Sequence, residues 1–108
     1  MAKARRPPHR NRIISRRKIR KFIESHPEDA SALESFSRWY DLAKHVPFAG
    51  LNEVRRVFPS ASLVGELVVF NIGGNKYRLA ARFIYEKRRV YIRRVMTHSE
   101  YDRGGWQE

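Results

Sequence analysis

The sequence predicts an α+β domain: N-terminal helices packed on one face of a small antiparallel sheet that ends in a C-terminal three-stranded meander. Three observations carry this. Up to about residue 58 the apolar residues recur at helical spacing. After Ser60-Ala61-Ser62 they alternate with a period of two. Gly73-Gly74-Asn75 and the segment 86–89 then cut the second half into strand-length runs. At 108 residues the chain is long enough for one core and not for two, and helices followed by strands segregate to one side of an antiparallel sheet.

Residues 1–12 contain Pro7-Pro8 and an arginine cluster and no large apolar residue beyond Met1. They read as a flexible basic arm, and residues 13–108 as a single domain. Arg12 to Ser15 has the makings of a short first strand. Ser15 then opens a helix with Ile19, Phe22 and Ile23 on one stripe and Arg16, Arg17, Lys18, Arg20 and Lys21 around it. Ser25-His26-Pro27-Glu28 has the spacing of a capping box, predicting a second helix with Leu33, Phe36, Tyr40 and Ala43 inward, ending near Pro47. Asn52 is a candidate cap for a short third helix that presents Val54, Val57 and Phe58 and stops at Pro59. Strands follow over 66–72, 76–85 and 90–97. On the second, alternation puts Tyr77, Leu79, Ala81, Phe83 and Tyr85 on one face and Arg78, Ala80, Arg82 and Ile84 on the other. On the third, Tyr91, Arg93 and Val95 oppose Ile92, Arg94 and Met96.

Charge narrows the partner. Lys plus Arg number 23 against 11 acids, a net charge of +12. The arm supplies +5 through Lys3, Arg5, Arg6, Arg10 and Arg12, so a basic domain remains without it. Such an excess points to a polyanion. The chain has no cysteine, which excludes disulfides, thiol catalysis and cysteine-ligated zinc. Its longest purely apolar run is Leu67 to Phe70, far short of a membrane span. Only Ile13 and Ile14 separate the basic start from Ser15-Arg16-Arg17-Lys18, so no signal-peptide core follows. A cytoplasmic protein with no membrane partner is expected.

Lys, Arg, Asn, His and Tyr are the side chains that bind a phosphodiester and move its protons without a metal. They concentrate in two blocks, Asn71 to Arg78 and Thr97 to Asp102, which the meander brings together. His98, just past the last strand, is a candidate general acid or base; alone, it would be a surface histidine. Arg78 is expected to leave the sheet's open face, where its fork holds a phosphate, the alternative being a salt bridge to Glu66 or Glu86. Lys76 adds a phosphate contact or is turn decoration. Asn71 interrupts an apolar strand end and can read a base edge, while Asn75 suits the turn. Tyr101 stacks on a base or closes the core's edge. Arg82 on the strand and Arg16, Arg17 and Arg20 on the first helix are further RNA-binding candidates. No acid cluster suits Mg²⁺, so neither metal nor cofactor is expected.

At these residues the chain resembles the HigB toxins of the RelE/ParE-like group. The resemblance covers about residues 13–102. It rests on Ile13-Ile14-Ser15 before a basic helix and on Val57-Phe58-Pro59-Ser60-Ala61 before the sheet. It rests above all on two blocks, Val69-Phe70-Asn71-Ile72-Gly73-Gly74-Asn75-Lys76-Tyr77-Arg78-Leu79 and Val95-Met96-Thr97-His98-Ser99-Glu100-Tyr101-Asp102. It implies a RelE-like fold and a metal-independent mRNA endonuclease, an mRNA interferase that cuts translated messages in the ribosomal A site. It also implies neutralisation by a HigA-type antitoxin with a helix-turn-helix domain; the toxin alone is expected to be monomeric. On this pattern Arg78 falls on the phosphate-contacting strand arginine, and His98 and Tyr101 fall where the group places acid/base and stacking residues. Taken together with this resemblance, the residues are expected to form an mRNA interferase using His98, Arg78, Lys76 and Tyr101. The alternatives are a non-catalytic RNA-binding protein and a ParE-like toxin acting on DNA gyrase.

Overall fold

A computed structural model describes residues 10–107. In chain order these form β1 (Arg12–Ile14), α1 (Arg17–Glu24), α2 (Ala32–His45), α3 (Leu51–Val57), β2 (Ser62–Val64), β3 (Leu67–Ile72), β4 (Tyr77–Ile84), β5 (Arg89–Thr97) and α4 (His98–Arg103). The strands make one sheet in the order β1-β5-β4-β3-β2. The predicted meander is β3-β4-β5, with Phe70 opposite Leu79 and Leu79 opposite Val95. Gly73 and Gly74 turn its first hairpin at φ +65° and +71°, a region L-residues with a Cβ seldom enter.

The sheet is mixed and not antiparallel, because β1 pairs in parallel with β5, Ile13 opposite Val90. A parallel pair needs a long crossover, and everything from α1 to β4 supplies it. Strand β2, absent from the sequence reading, is three residues long and folds back on β3 through Gly65 at φ +62°. So short a run shows no period.

Helix boundaries differ in three places. Ser15 has φ 71°, so the chain turns before α1, which begins at Arg17. Ser25 closes α1 instead of opening α2: its hydroxyl donates to the Phe22 carbonyl at 2.8 Å, and His26 stacks on the Phe22 ring at 4.1 Å. Helix α2 starts at Ala32, after a turn in which an Asp29 carboxylate oxygen accepts from Ser31 N–H at 3.0 Å and Ser31 Oγ at 2.7 Å. The residue before α3 is Gly50, not Asn52. On α2 the buried stripe is Ala32, Phe36, Trp39 and Ala43, whereas Leu33 is 63% exposed.

The main core lies between the helices and one sheet face. Phe22, Phe36, Trp39 and Val54 meet Phe70, Tyr77, Leu79 and Ile92 there. Composition sets the arm's boundary too late. Asn11 is 5% exposed; its backbone N–H donates to Lys44 O at 2.8 Å, and its side-chain amide donates to Ala43 O at 2.7 Å and Val46 O at 2.8 Å. The arm's first nine residues lie outside the described residues. The opposite sheet face carries a second, smaller cluster of Val69, Ala80 and Met96, flanked by Val64, Leu67, Tyr101 and Trp106.

Strand β5 departs from simple alternation. Ala80 pairs with Arg94 and Ala81 with Ile92, leaving Arg93 as the extra residue of a bulge. Val95 therefore packs with Ile92 against the main core, where strict alternation puts them on opposite faces.

Candidate active site

The site forms on the sheet face away from the helices. Asn71, Arg78 and Met96 sit side by side across β3, β4 and β5, and Met96 belongs to the second cluster. Arg78 is on the expected face but is not open: it is 7% exposed. Tyr101 of α4 lies over it, the guanidinium carbon 5.6 Å from the ring centre. Burying this charge is tolerable because Nη2 donates to the Asn75 side-chain oxygen at 2.7 Å and Nη1 to the carbonyls of Tyr77 at 3.0 Å and Asn75 at 3.4 Å. Among the described residues no carboxylate pairs with it. The cation is held by neutral acceptors and keeps its charge available to an anion.

Helix α4 completes the site and was not foreseen. Thr97 accepts the Glu100 N–H at 3.1 Å, while the Glu100 carboxylate accepts the Thr97 N–H at 2.7 Å, a reciprocal capping box. The signal was available in Thr97-His98-Ser99-Glu100. This cap starts the helix at His98, whose backbone N–H donates to the Lys76 carbonyl at 2.9 Å. His98 thus stands across from Lys76, at the mouth of the hairpin that carries Asn75 and Arg78. Its ring Nε2 lies 3.1 Å from an Asp102 carboxylate oxygen one turn along α4, both side chains well exposed. Tyr101, three residues after His98, stacks at 5.3 Å on Trp106, an aromatic that sequence reasoning passed over.

The other predicted residues have different surroundings. Lys76 turns away from Arg78, its ammonium 3.3 Å from Asp29 and 3.4 Å from Ser31 Oγ. Asn71 is exposed and lines a cleft of about 380 Å³ with Ser35, Arg38 and the glycine turn. Arg82 lies farther along β4, 3.3 Å from Glu66. Arg16 and Arg20 line a groove between α1 and α2, on the helical side of the sheet, and Arg16 donates to the Tyr40 hydroxyl at 2.7 Å. Arg17 is exposed on the same helix. Asn75 is in the site as the residue that holds Arg78.

Residues 32–104 match the model of the HigB toxin family, described as the RelE-like toxic component of a toxin–antitoxin system. The chain belongs to the HigB toxin family. The matched segment contains Arg78, His98 and Tyr101, together with Asn75 and Thr97. Among relatives, the "mRNA interferase toxin HigB" of Escherichia coli (strain K12) is 32% identical over 93 residues, 83% of this chain and 86% of that protein. The "mRNA interferase HigB" of Shigella flexneri gives the same figures. A second E. coli relative (O6:H1) is 29% identical over 94 residues, 84% and 88% of the two chains. The α+β architecture with its mixed five-stranded sheet is that of a RelE-like toxin, and the family makes an antitoxin its partner. Among the described residues no helix is long and apolar enough to cross a membrane.

Proposed function

We propose that this HigB-family chain is an mRNA endonuclease in which Arg78, His98 and Tyr101 act on one phosphodiester bond. The observation that carries it is the buried, acid-free Arg78 guanidinium under Tyr101 of α4, the helix that His98 begins. The relatives' name, mRNA interferase, supports the substrate.

In this mechanism the ribose 2′-hydroxyl attacks the adjacent phosphorus and the bond to the 5′-oxygen of the next nucleotide breaks. One proton leaves the 2′-oxygen and one arrives at the 5′-oxygen, giving a 2′,3′-cyclic phosphate and a free 5′-hydroxyl. His98 transfers one of these protons. Arg78 stabilises the charge that builds on the non-bridging oxygens, where fixed donors in a water-poor site count most. Tyr101 stacks on a base and sets the in-line angle. Lys76, held by Asp29, contributes positive potential at the hairpin. Because the nucleophile belongs to the substrate, the reaction needs no metal or cofactor.

The substrate is translated message on the ribosome, cut in the A site, and the partner that silences the enzyme is a HigA-type helix-turn-helix antitoxin. The toxin acts as a monomer in the cytoplasm, through one domain that follows a basic arm. Primer extension on a reporter mRNA in reconstituted translation, with and without ribosomes, tests this. Cuts by wild type that need ribosomes and vanish in His98→Gln are expected. Absence of cuts by folded wild type overturns the reading and favours a binding role or a gyrase target.

A further inference from the structure

We infer that the outer sheet face beyond Arg78 is a track for single-stranded RNA, with Trp106 as a stacking platform and Arg82, Arg89 and Arg93 as phosphate contacts. This rests on the RNA-cleaving reading above and extends it to residues outside the reacting centre.

Gly104 and Gly105, at φ +79° and +80°, fold the end of the chain back after α4. Arg94 Nε fixes that turn by donating to the Trp106 carbonyl at 2.9 Å. Trp106 is thereby laid on Tyr101, ring planes 29° apart, so Arg78, Tyr101 and Trp106 follow one another out of the site. Beyond Trp106 lie two adjoining hollows of about 520 and 290 Å³, both bordered by Arg82 and Arg93; the second reaches Arg89 and Lys87. The bulge at Arg93 puts two consecutive arginines, Arg93 and Arg94, at the border of the first hollow. Against these five cations the lining carries one acid, Glu66, which pairs with Arg82 at 3.3 Å.

A wide, shallow, strongly basic surface that begins at an aromatic stack has the chemistry for a chain of phosphates with free bases. A duplex brings more charge per unit length but no unstacked base for Trp106, so the aromatic stack, not the charge, is what favours a single strand. The track therefore selects single strands.

The experiment is fluorescence anisotropy with the full chain and a labelled 2′-O-methyl RNA of about 12 nucleotides, alone or annealed to its complement. The methyl group removes the nucleophile, so binding is read apart from cleavage. Arg89→Ala/Arg93→Ala should weaken single-strand binding by at least about tenfold and reduce the slope of log affinity against log salt by about 1.4, about 0.7 for each lost phosphate. Trp106→Leu should weaken it at least about fivefold and leave the slope unchanged. Unchanged affinity and slope in the double variant overturn the track, as does equal or tighter binding of the duplex. Cleavage of a translated reporter by wild type is scored separately. Binding as expected without cleavage sinks the nuclease and spares the track. Cleavage by wild type together with wild-type binding by the variants sinks only the track.

Discussion

Arg78 lies beneath Tyr101, its guanidinium carbon 5.6 Å from the ring centre, although the two are 23 residues apart in the sequence. The strand supplies a cation buried among neutral acceptors; the terminal helix supplies the π face that covers it. Such a contact is worth about 0.5–2 kcal/mol, enough to hold the ring over the charge and little enough for a nucleotide to displace it. The arrangement keeps a positive charge partly desolvated, where its attraction for a phosphate is greatest.

Arg78→Lys retains the charge and loses the planar fork that bonds Asn75 and the Tyr77 carbonyl. Cleavage should fall by roughly 10² or more, while the far-UV circular dichroism of the variant stays that of the wild type. A folded Arg78→Lys protein cutting at the wild-type rate would remove the fork from the mechanism.

For His98→Gln the expected loss is roughly 10²–10⁴ in the rate of cutting. Its partner Asp102 is 61% exposed, so Asp102→Asn should change the rate by no more than about fivefold. Single-turnover cleavage of a translated reporter measures both. Equal losses in the two variants would mean that the pair acts as one unit.

Thr97→Ala removes half of the capping box and should cost about 1 kcal/mol of stability. Because the cap sets where α4 begins, it also sets where His98 stands. Cleavage should therefore drop more than the melting temperature explains, and should recover in Thr97→Ser. Recovery of stability without recovery of activity would detach the cap from the site.

The meander and its glycine turn were legible because alternation and turn chemistry are local signals, and so was the face that carries Arg78. Its burial was not, since Tyr101 covers it from a helix beyond the strand and Trp106 backs Tyr101 from a further turn. The sequences at Ser25 and Thr97 both fit a capping box. Only the packing of His26 on Phe22 decides that the first ends a helix and the second begins one. Trp39 in place of Leu33 on the α2 stripe, the Arg93 bulge and the parallel pairing of β1 depend likewise on distant partners, which no short window contains.

Stability should respond to pH through Asp29 and Tyr77. Asp29 accepts from the Tyr77 hydroxyl at 2.5 Å, from Ser31 twice and from Lys76 at 3.3 Å, joining the α1–α2 turn to the start of β4. Donation by Tyr77 and then Ser31 holds its carboxyl well below the usual range, whereas the unfolded chain binds that proton near pH 4. This contribution is complete above about pH 4 and is lost as the pH falls through the folded value. Tyr77 behaves in the opposite sense. Burial, and then the Asp29 carboxylate, raise its hydroxyl to about 12, so its contribution is complete below about pH 10 and is lost between about 10 and 12. Urea unfolding of wild type and Asp29→Asn should therefore differ at neutral pH and converge in acid, while Tyr77→Phe should lack the alkaline decline of the wild type. Parallel acid limbs for wild type and Asp29→Asn would show that this junction does not govern the response.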